Sequence, residues 1–277
     1  MKKLVLSAMA LMIGTVGFAQ FNDSDVLQIG LGNQSDVNQV GYKNESKVIQ
    51  LGAINDSDVD QFGVRNWSEV KQVGIANWSG VLQVGKKNGS DVDQYGLANK
   101  SMVDQKGYKN NSDVLQVGVH NDANTYQRGK KNYSEIDQFG YFNDADAVQL
   151  GKYNSGDINQ YGLGNDTYAL QVGIGNYAYA LQVGAVNTNT TLQFGLANEA
   201  VTLQYGVAND SDLLQIGAFN DSWTEQYGFY NDSDVIQVGA GNYQFAHQHG
   251  FGHMSTVTQL GIGNGSVTTQ HNMGGGS

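Results

Sequence analysis

Fixed and variable positions alternate along the chain with a period of two, inside short units that repeat every eleven residues. Each unit follows the frame Asn-x-Ser-x-Val-x-Gln-x-Gly-x-x, and the first nine units, from Asn22 to Gly118, keep every one of those letters. Alternation at period two is typical of a β-strand with two distinct faces. Asn, Ser, Val and Gln therefore share one face of the predicted strand, and the intervening residues share the other.

The glutamine of this unit recurs every eleven residues without an insertion, from Gln28 to Gln270, which makes 23 units. Gly follows two places later in 22 of the units, and Asn precedes six places earlier in 22, with His253 as the exception. A fixed period of this kind indicates one small structural element that is stacked many times. We expect the function to belong to the array rather than to a pocket.

A strand and a turn of eleven residues reverse the chain once, so two units are needed to return to the same side. Basic residues support this 22-residue coil, because five of them lie 22 residues apart: Lys43, Arg65, Lys87, Lys109 and Lys131. The predicted fold class is all-β, a β-solenoid (two-sheet parallel β-helix) of 22-residue coils built from 23 eleven-residue strand-turn units. Gly and the two residues after it are expected to form the turn.

Stacking of coils places each inward side-chain amide above an identical one. Such amides can donate to one neighbouring rung and accept from the other, which satisfies polar groups that are costly to bury unpaired. We therefore predict structural ladders along the array. The predicted ladder residues are Gln28, Gln39, Gln50, Gln61, Gln72, Gln83, Gln94, Gln105 and Gln116, with Asn33, Asn44, Asn55, Asn66 and Asn77, and Gly30, Gly41 and Gly52.

The start of the sequence has the features of a secretory signal peptide, predicted over residues 1–19. Lys2 and Lys3 precede an apolar run, and small residues up to Ala19 fit a cleavage site. Residues 20–272 are predicted to form the solenoid and residues 273–277 a flexible Gly-rich tail. The protein is expected to be secreted, and no later segment approaches the roughly 20 apolar residues that a membrane span needs. The chain has no cysteine, so disulfides do not stabilise it, and no proline interrupts its strands.

The charge of the chain is acidic and unevenly distributed. Without Lys2 and Lys3 the net charge of −11 becomes −13, which argues against nucleic acid as a partner. Aspartates recur at one outward position of the unit and are expected to act as gatekeepers that slow self-association. The predicted gatekeepers are Asp25, Asp36, Asp58, Asp91 and Asp113. Later units carry Tyr168, Tyr179, Trp223 and Phe245 at this position, so we expect the C-terminal half to aggregate more readily.

Catalytic and metal-binding side chains show no recurring pattern. No nucleophile, general base and orienting partner recur together, so we predict that the protein is not an enzyme and uses no cofactor. His247, His249 and His271 could lie on neighbouring rungs, where a transition metal could bind. We favour the simpler interpretation of exposed histidines at tolerant outward positions, and we predict no metal.

The pattern Gln-x-Gly-x-x-Asn-x-Ser/Ala-x-x-x-Gln, seen from Gln28 to Gln39 and again from Gln171 to Ala178, resembles the curlin repeat. The resemblance covers residues 21–272. It implies a subunit of curli-like functional amyloid fibres in the extracellular biofilm matrix, which support adhesion and aggregation. It further implies export through an outer-membrane secretion pore, assembly on a nucleating minor subunit, and Gln and Asn as ladder residues. The chain differs from curlins, which often alternate Ser and Asn and have fewer units.

The two ends of the array show no evident cap in the sequence, and uncapped repeat arrays have open strand edges. We therefore expect the solenoids to stack end to end into a homopolymeric fibre. Because the number of units is odd, the first and last strands lie on the same sheet, and we expect head-to-tail stacking to leave half a coil unmatched. The alternative function is a monomeric secreted β-solenoid adhesin that binds glycan or another surface through outward aromatics such as Trp67, Trp78 and Tyr133.

Overall fold

The computed structural model describes residues 21–271, so the predicted signal peptide and the Gly-rich tail lie outside the described residues. Within this range the regular secondary structure consists of β-strands alone. Each strand is nine residues long except the last, which has seven. The strands are β1 Asp23–Leu31, β2 Gln34–Tyr42, β3 Glu45–Ala53, β4 Asp56–Val64, β5 Trp67–Ile75, β6 Trp78–Lys86, β7 Gly89–Leu97, β8 Lys100–Tyr108, β9 Asn111–Val119, β10 Asp122–Lys130, β11 Tyr133–Tyr141, β12 Asp144–Lys152, β13 Ser155–Leu163, β14 Asp166–Ile174, β15 Tyr177–Ala185, β16 Thr188–Leu196, β17 Glu199–Val207, β18 Asp210–Ala218, β19 Asp221–Phe229, β20 Asp232–Ala240, β21 Tyr243–Phe251, β22 Met254–Ile262 and β23 Gly265–His271.

The strands form two parallel sheets, and successive strands alternate between them. The odd sheet contains the 12 odd-numbered strands in the order β1-β3-β5 through to β23, and the even sheet contains the 11 even-numbered strands, β2 to β22. Each residue pairs with the residue 22 positions later, as Gln28 does with Gln50 and Gly30 with Gly52. The predicted β-solenoid with 22-residue coils is therefore confirmed.

The core lies between the two sheets and is thin. In β5 the side chains of Ser68, Val70 and Gln72 are buried, whereas the intervening residues are partly exposed. This pattern follows from the period-two alternation of the sequence, since alternate side chains of a strand point to opposite faces. Parallel pairing then stacks each valine on the valine of the next coil, and Val48, Val70 and Val92 have no exposed surface.

The turns lie further along the unit than the sequence suggested. Gly85 and Lys86 still belong to β6, and the corner is made by Lys87 and Asn88. The residue before the Asn of each unit adopts the left-handed conformation, as Lys87 does with a φ of 58°. At 17 of these positions the residue is not Gly. Each costs about 1–2 kcal/mol relative to a right-handed residue. Backbone bonds between stacked corners offset this, as in the 3.0 Å bond from the Lys87 amide to the Val64 carbonyl.

The glycine of the unit has a different role from the one expected, because it lies within the strand ladder. Gly85 has a φ of 128°, a conformation that side chains rarely adopt. A Cβ atom at Gly85 would also collide with the carbonyl oxygen of Gly107 on the next coil. Glycine is therefore required by the close approach of two rungs as well as by the backbone angle.

Candidate functional site

The buried glutamines form two continuous ladders of side-chain hydrogen bonds, one in each sheet. Gln50 Nε2 donates to Gln72 Oε1 at 2.8 Å, and Gln72 Nε2 donates to Gln94 Oε1 at 2.9 Å. The nine predicted ladder glutamines, Gln28, Gln39, Gln50, Gln61, Gln72, Gln83, Gln94, Gln105 and Gln116, each make this bond at 2.7 to 3.0 Å. Every donor points toward the higher residue number, so each ladder has a direction.

Every ladder glutamine of the described residues except Gln28 also connects the two sheets, a contact that the sequence did not suggest. Gln50 in β3 donates from Nε2 to the carbonyl oxygen of Gln34 in β2 at 2.7 Å, and Gln72 in β5 donates to that of Asp56 in β4 at 2.8 Å. Both amide hydrogens of a buried glutamine are thereby used, which removes the cost of burying an unpaired polar group. The ladder therefore fixes the rung spacing and the packing of one sheet on the other.

The asparagines form a second pair of ladders at the corners. The backbone amide of Asn66 donates to Asn44 Oδ1 at 3.1 Å. Asn77 Nδ2 donates to Asn55 Oδ1 at 3.1 Å and to the carbonyl oxygen of Gly96 at 3.2 Å. Asn33, which is partly exposed, makes the equivalent bond to the carbonyl oxygen of Gly52 at 3.2 Å. Asn and Gly therefore recur together because the Asn side chain bonds the carbonyl oxygen of a glycine on the next coil.

The outer edges of the terminal strands are uncovered within the described part of the chain. Val26 of β1 is 48% exposed, whereas the equivalent Val48 of β3 is fully buried. Gln28 Oε1 accepts no hydrogen bond from another described residue, and Gln270 Nε2 donates only to the Met254 carbonyl oxygen. One end therefore presents amide acceptors and the other presents amide donors.

The predicted gatekeeper aspartates lie on two separate outer faces. Asp25, Asp91 and Asp113 lie on the odd sheet, and Asp36 and Asp58 lie on the even sheet. Their environments differ, since Asp25, Asp36 and Asp58 are exposed and the other two are partly buried.

Carboxylates crowd together on these outer faces. Burial, followed by the charges of Asp93 and Glu69, raises the pKa of Asp91 to about 6. Burial also raises the pKa of Asp113 above its usual range. Repulsion on the odd sheet is partly relieved by Lys47, whose Nζ lies 2.6 Å from Glu69 Oε1.

The three C-terminal histidines lie close together at the end of the odd sheet. The ring centroids of His247 and His271 are 5.1 Å apart, and those of His249 and His271 are 5.8 Å apart. His247 Nδ1 lies 3.0 Å from Glu225 Oε2. Across residues 21–271, no group of three or more His, Cys, Asp or Glu side chains is arranged to hold a metal ion.

One comparison with known proteins gives a family match for part of the chain. Among residues 21–271 there is no helix long and apolar enough to cross a membrane. The comparison with curated proteins found no match. The family model of the curlin associated repeat matches residues 120–151, which include β10, β11 and most of β12. The match supports the curlin family, and the units outside residues 120–151 share the same frame as the matched ones.

Proposed function

We propose that the chain is a structural subunit of an extracellular, curli-like amyloid fibre of the biofilm matrix, and that it has no enzymatic role. The observation that carries the proposal is the direction of the glutamine ladders, which leave acceptors at one end and donors at the other. Head-to-tail contact joins the free amide oxygens of one end to the free amide hydrogens of the other. Contact between like ends places donor against donor or acceptor against acceptor. The ladders therefore favour a polar fibre in which all subunits point the same way.

The odd number of described strands determines how two subunits fit. A strand that continued the coil after β23 would lie in the even sheet and pair with β22. If β1 of the next molecule takes that place and its β2 pairs with β23, no half coil is left unmatched. Gln259 and Gln270 then donate to Gln28 and Gln39 of the next molecule. This stacking requires each subunit to be rotated by half a turn about the solenoid axis relative to its neighbour.

Cysteine cross-linking tests both the fibre and this rotation, because the chain has no cysteine of its own. The half-turn places Leu27 of one molecule beside Thr258 of its neighbour, and stacking without rotation places it beside Thr269. All three side chains are exposed, and neighbouring strands about 4.8 Å apart allow disulfide geometry. We expect oxidised fibres of the Leu27→Cys/Thr258→Cys variant to give covalent multimers, and fibres of the Leu27→Cys/Thr269→Cys variant to give almost none.

The fibre itself is tested on purified protein that starts at residue 20. We expect electron microscopy to show fibres, and X-ray diffraction to show a reflection near 4.7 Å from the strand spacing. A chain that stays monomeric for days would contradict the proposed function. Fibres that cross-link only through the Thr269→Cys variant would contradict the half-turn and leave the fibre intact.

The outer faces are proposed to set the rate of assembly. Aspartate rows repel an approaching subunit, whereas the exposed aromatic residues Tyr168 and Trp223 of later units do not. Replacing Trp223 and Phe245 by Asp should lengthen the lag before thioflavin fluorescence rises. An unchanged lag would mean that these faces do not control assembly.

Export and nucleation are proposed from the family resemblance. Signal-peptide secretion, passage through an outer-membrane pore and a nucleating minor subunit fit a curlin-repeat protein. The alternative function, a monomeric glycan adhesin, has less support in the geometry, because Trp67 lies on the odd sheet and Trp78 on the even sheet. The two indole rings therefore form no common platform on which a sugar could stack.

A further inference from the structure

One corner of the solenoid carries most of the positive charge of this acidic protein. We call this surface the basic edge, and it consists of the cations at the corners that follow β2, β4, β6, β8, β10 and β12. Its members are Lys43, Arg65, Lys86, Lys87, Lys109, Lys130, Lys131 and Lys152. They are eight of the 13 basic residues that follow Lys3.

The opposite corner of the same coils has a different character. Its two positions hold Leu31 and Gly32, Ala53 and Ile54, Ile75 and Ala76, Leu97 and Ala98, Val119 and His120, and Tyr141 and Phe142. Both corners have the same backbone and the same Asn ladder, so the fold does not require cations at either. The asymmetry between the corners is a property of this sequence rather than of the repeat.

Stacking arranges these cations in a straight row. The backbone amide of Lys109 donates to the Lys86 carbonyl oxygen at 3.0 Å, and that of Lys131 donates to the Tyr108 carbonyl oxygen at 2.9 Å. Adjacent corners are therefore one rung apart, about 4.8 Å. From Lys43 to Lys152 the row crosses five rungs, roughly 24 Å at that spacing.

No described residue forms an ion pair with a cation of the basic edge. The ion pairs of the described residues involve Lys47, Lys100, Lys106 and His247, none of which belongs to the edge. The odd-numbered strands β3 to β13 follow the corners of the basic edge, and among their first residues only Glu45 is acidic. The even-numbered strands β2 to β14 follow the opposite corner, and four of them, β4, β10, β12 and β14, start with Asp.

The local electrostatics agree with an accumulation of positive charge. Burial alone would raise the pKa of Tyr108, but the charges of Lys109 and Lys87 outweigh it and lower that pKa. Seven of the eight side chains are exposed, and Lys87 is partly exposed. Like charges on adjacent rungs repel one another and reduce stability, so their retention at a single corner needs a reason other than folding.

We propose that the basic edge is a binding site for a linear carboxylated polysaccharide. A flexible chain with regularly spaced carboxylates can lie along the row and contact a cation at each rung. This inference goes beyond the fibre, since a single solenoid already carries the whole row.

Nucleic acid fits this surface less well. Proteins that bind single strands offer open aromatic faces on which bases stack. Here lysines cover the rings: Lys43 lies 5.3 Å from the Tyr42 centroid, and Lys131 lies 5.0 Å from the Tyr153 centroid. A duplex carries one charge per 1.7 Å on both strands and would also approach the aspartate-bearing outer faces of the sheets. Such a narrow row of cations, with lysines lying over the rings, recognises charge rather than stacked bases.

The test compares two variants with the same loss of charge. In the edge variant, Lys43, Lys87, Lys109 and Lys131 become Asn, a residue that tolerates the left-handed corner conformation. In the control variant, Lys47, Lys71, Lys100 and Lys106, which lie on the outer faces of strands, become Gln. The probes are polygalacturonate, neutral dextran and a single-stranded oligothymidylate, with binding measured by interferometry over a range of salt concentrations.

We expect polygalacturonate to bind the wild type with an affinity that falls linearly with the logarithm of salt concentration. The edge variant should lose about tenfold or more in affinity and show a smaller salt slope, and the control variant should change less than about twofold. Equal losses in both variants, equal binding of dextran, or tighter binding of the oligonucleotide would overturn the proposal.

A second measurement does not depend on the folding of a fourfold variant. A fluorophore is attached to the wild-type background at Lys87→Cys on the basic edge, or at Ala76→Cys on the opposite corner. Polygalacturonate should change the emission of the first label and leave the second unchanged. The same response at both corners would contradict a site on the edge.

Discussion

The strands from β1 to β12 and those from β13 to β23 contain the same buried amides but different aliphatic residues. In the first region the position two residues before the ladder glutamine holds mostly valine, such as Val59 and Val81, and both are buried. In the second region the same position often holds Ala or Thr, as at Ala180 and Thr202, which are equally buried. The side chain that does not change is glutamine. The comparison indicates that the amide ladder specifies the coil and that the aliphatic core adapts to it.

The outer faces of the two regions differ more strongly. All Lys and Arg residues lie at or before Lys152, and several of the later outward positions carry aromatic residues. Tyr205 and Tyr227, on adjacent rungs, stack with ring centroids 5.0 Å apart. A parallel in-register ladder places identical positions on top of one another, so it permits either rows of charge or rows of stacked rings. The residues of the outer faces can therefore vary and acquire surface functions, whereas the amide ladders constrain the residues of the interior.

The largest effect is expected from the glycine within the strands, which both regions share. Gly173→Ala should destabilise the solenoid by about 3 kcal/mol or more, because its Cβ would collide with the Gly195 carbonyl oxygen and its φ of 136° is strained for alanine. Gly175→Ala, two residues later at the corner, should cost only about 1–2 kcal/mol, since nothing lies near its Cβ and Ala76 already adopts this conformation. Guanidinium unfolding measures both, and equal costs would contradict the role assigned to the strand glycine.

The glutamine ladder should respond equally in the two regions. Gln94→Ala and Gln204→Ala each remove two donated bonds and leave a buried amide of the preceding rung without its acceptor, so each should cost about 2–4 kcal/mol. Gln34→Ala is the matched control, because the Gln34 side chain is exposed, and it should be nearly neutral. A cost confined to one region would show that the ladder is not the common determinant of the coil.

Acidity should stabilise the solenoid, through carboxylates in both regions. Burial, then neighbouring carboxylates, raises the pKa of Asp91 and of Asp157 to about 6. The folded protein therefore takes up protons as the pH falls through 6, whereas unfolded Asp stays charged to about pH 4. Stability rises as the pH falls from 7 to about 4.5, by about 1 kcal/mol for each group after allowance for their partial exposure.

The pH effect is measured by denaturant unfolding at several pH values. Asp91→Asn and Asp157→Asn should each reduce the gain in stability at low pH and raise stability at pH 7. The Gln34→Ala variant, which removes no carboxylate, serves as the control and should keep the pH profile of the wild type. A protein that loses stability between pH 7 and 5 would contradict the argument.

The fold could be predicted from the sequence because the period of two and the period of eleven are independent signals that agree. The alternation around Val48 and Gln50 indicated which side chains are buried, and the spacing of Lys43 and Arg65 indicated the coil. The turn was placed too early because glycine is common in turns. Glycine is required at position 85 because the carbonyl group of the next coil leaves no room for a side chain. This contact becomes visible only when the coils are stacked.

The site was harder to predict than the fold. Repetition suggested amide stacking but not the second bond of each glutamine, because the carbonyl of Gln34 reaches Gln50 only through the packing of one sheet on the other. The five evenly spaced corner cations were visible in the sequence. Lys86, Lys130 and Lys152 are the last residues of their strands, and the structure shows that they lie at the same corner, beside that row. Contacts between coils and between sheets decide both features.

The smallest effect is expected at the buried serines of the first region. The hydroxyl of Ser68 is buried and has no hydrogen-bond partner, and Ala123, Ala178 and Ala200 occupy equivalent positions in later units. Ser68→Ala should therefore be neutral or stabilising by up to about 1 kcal/mol, since it removes an unpaired polar group.

Ser222 provides the matched control, because its hydroxyl lies 2.7 Å from the side-chain amide of Gln244. Ser222→Ala should cost about 1 kcal/mol, since it removes a hydrogen-bond partner of the buried side-chain amide of Gln244. Denaturant midpoints of the two variants are compared at one pH. If Ser68→Ala were the more destabilising of the two, the valine and serine core of the first region would contribute a stability that the ladder alone does not explain.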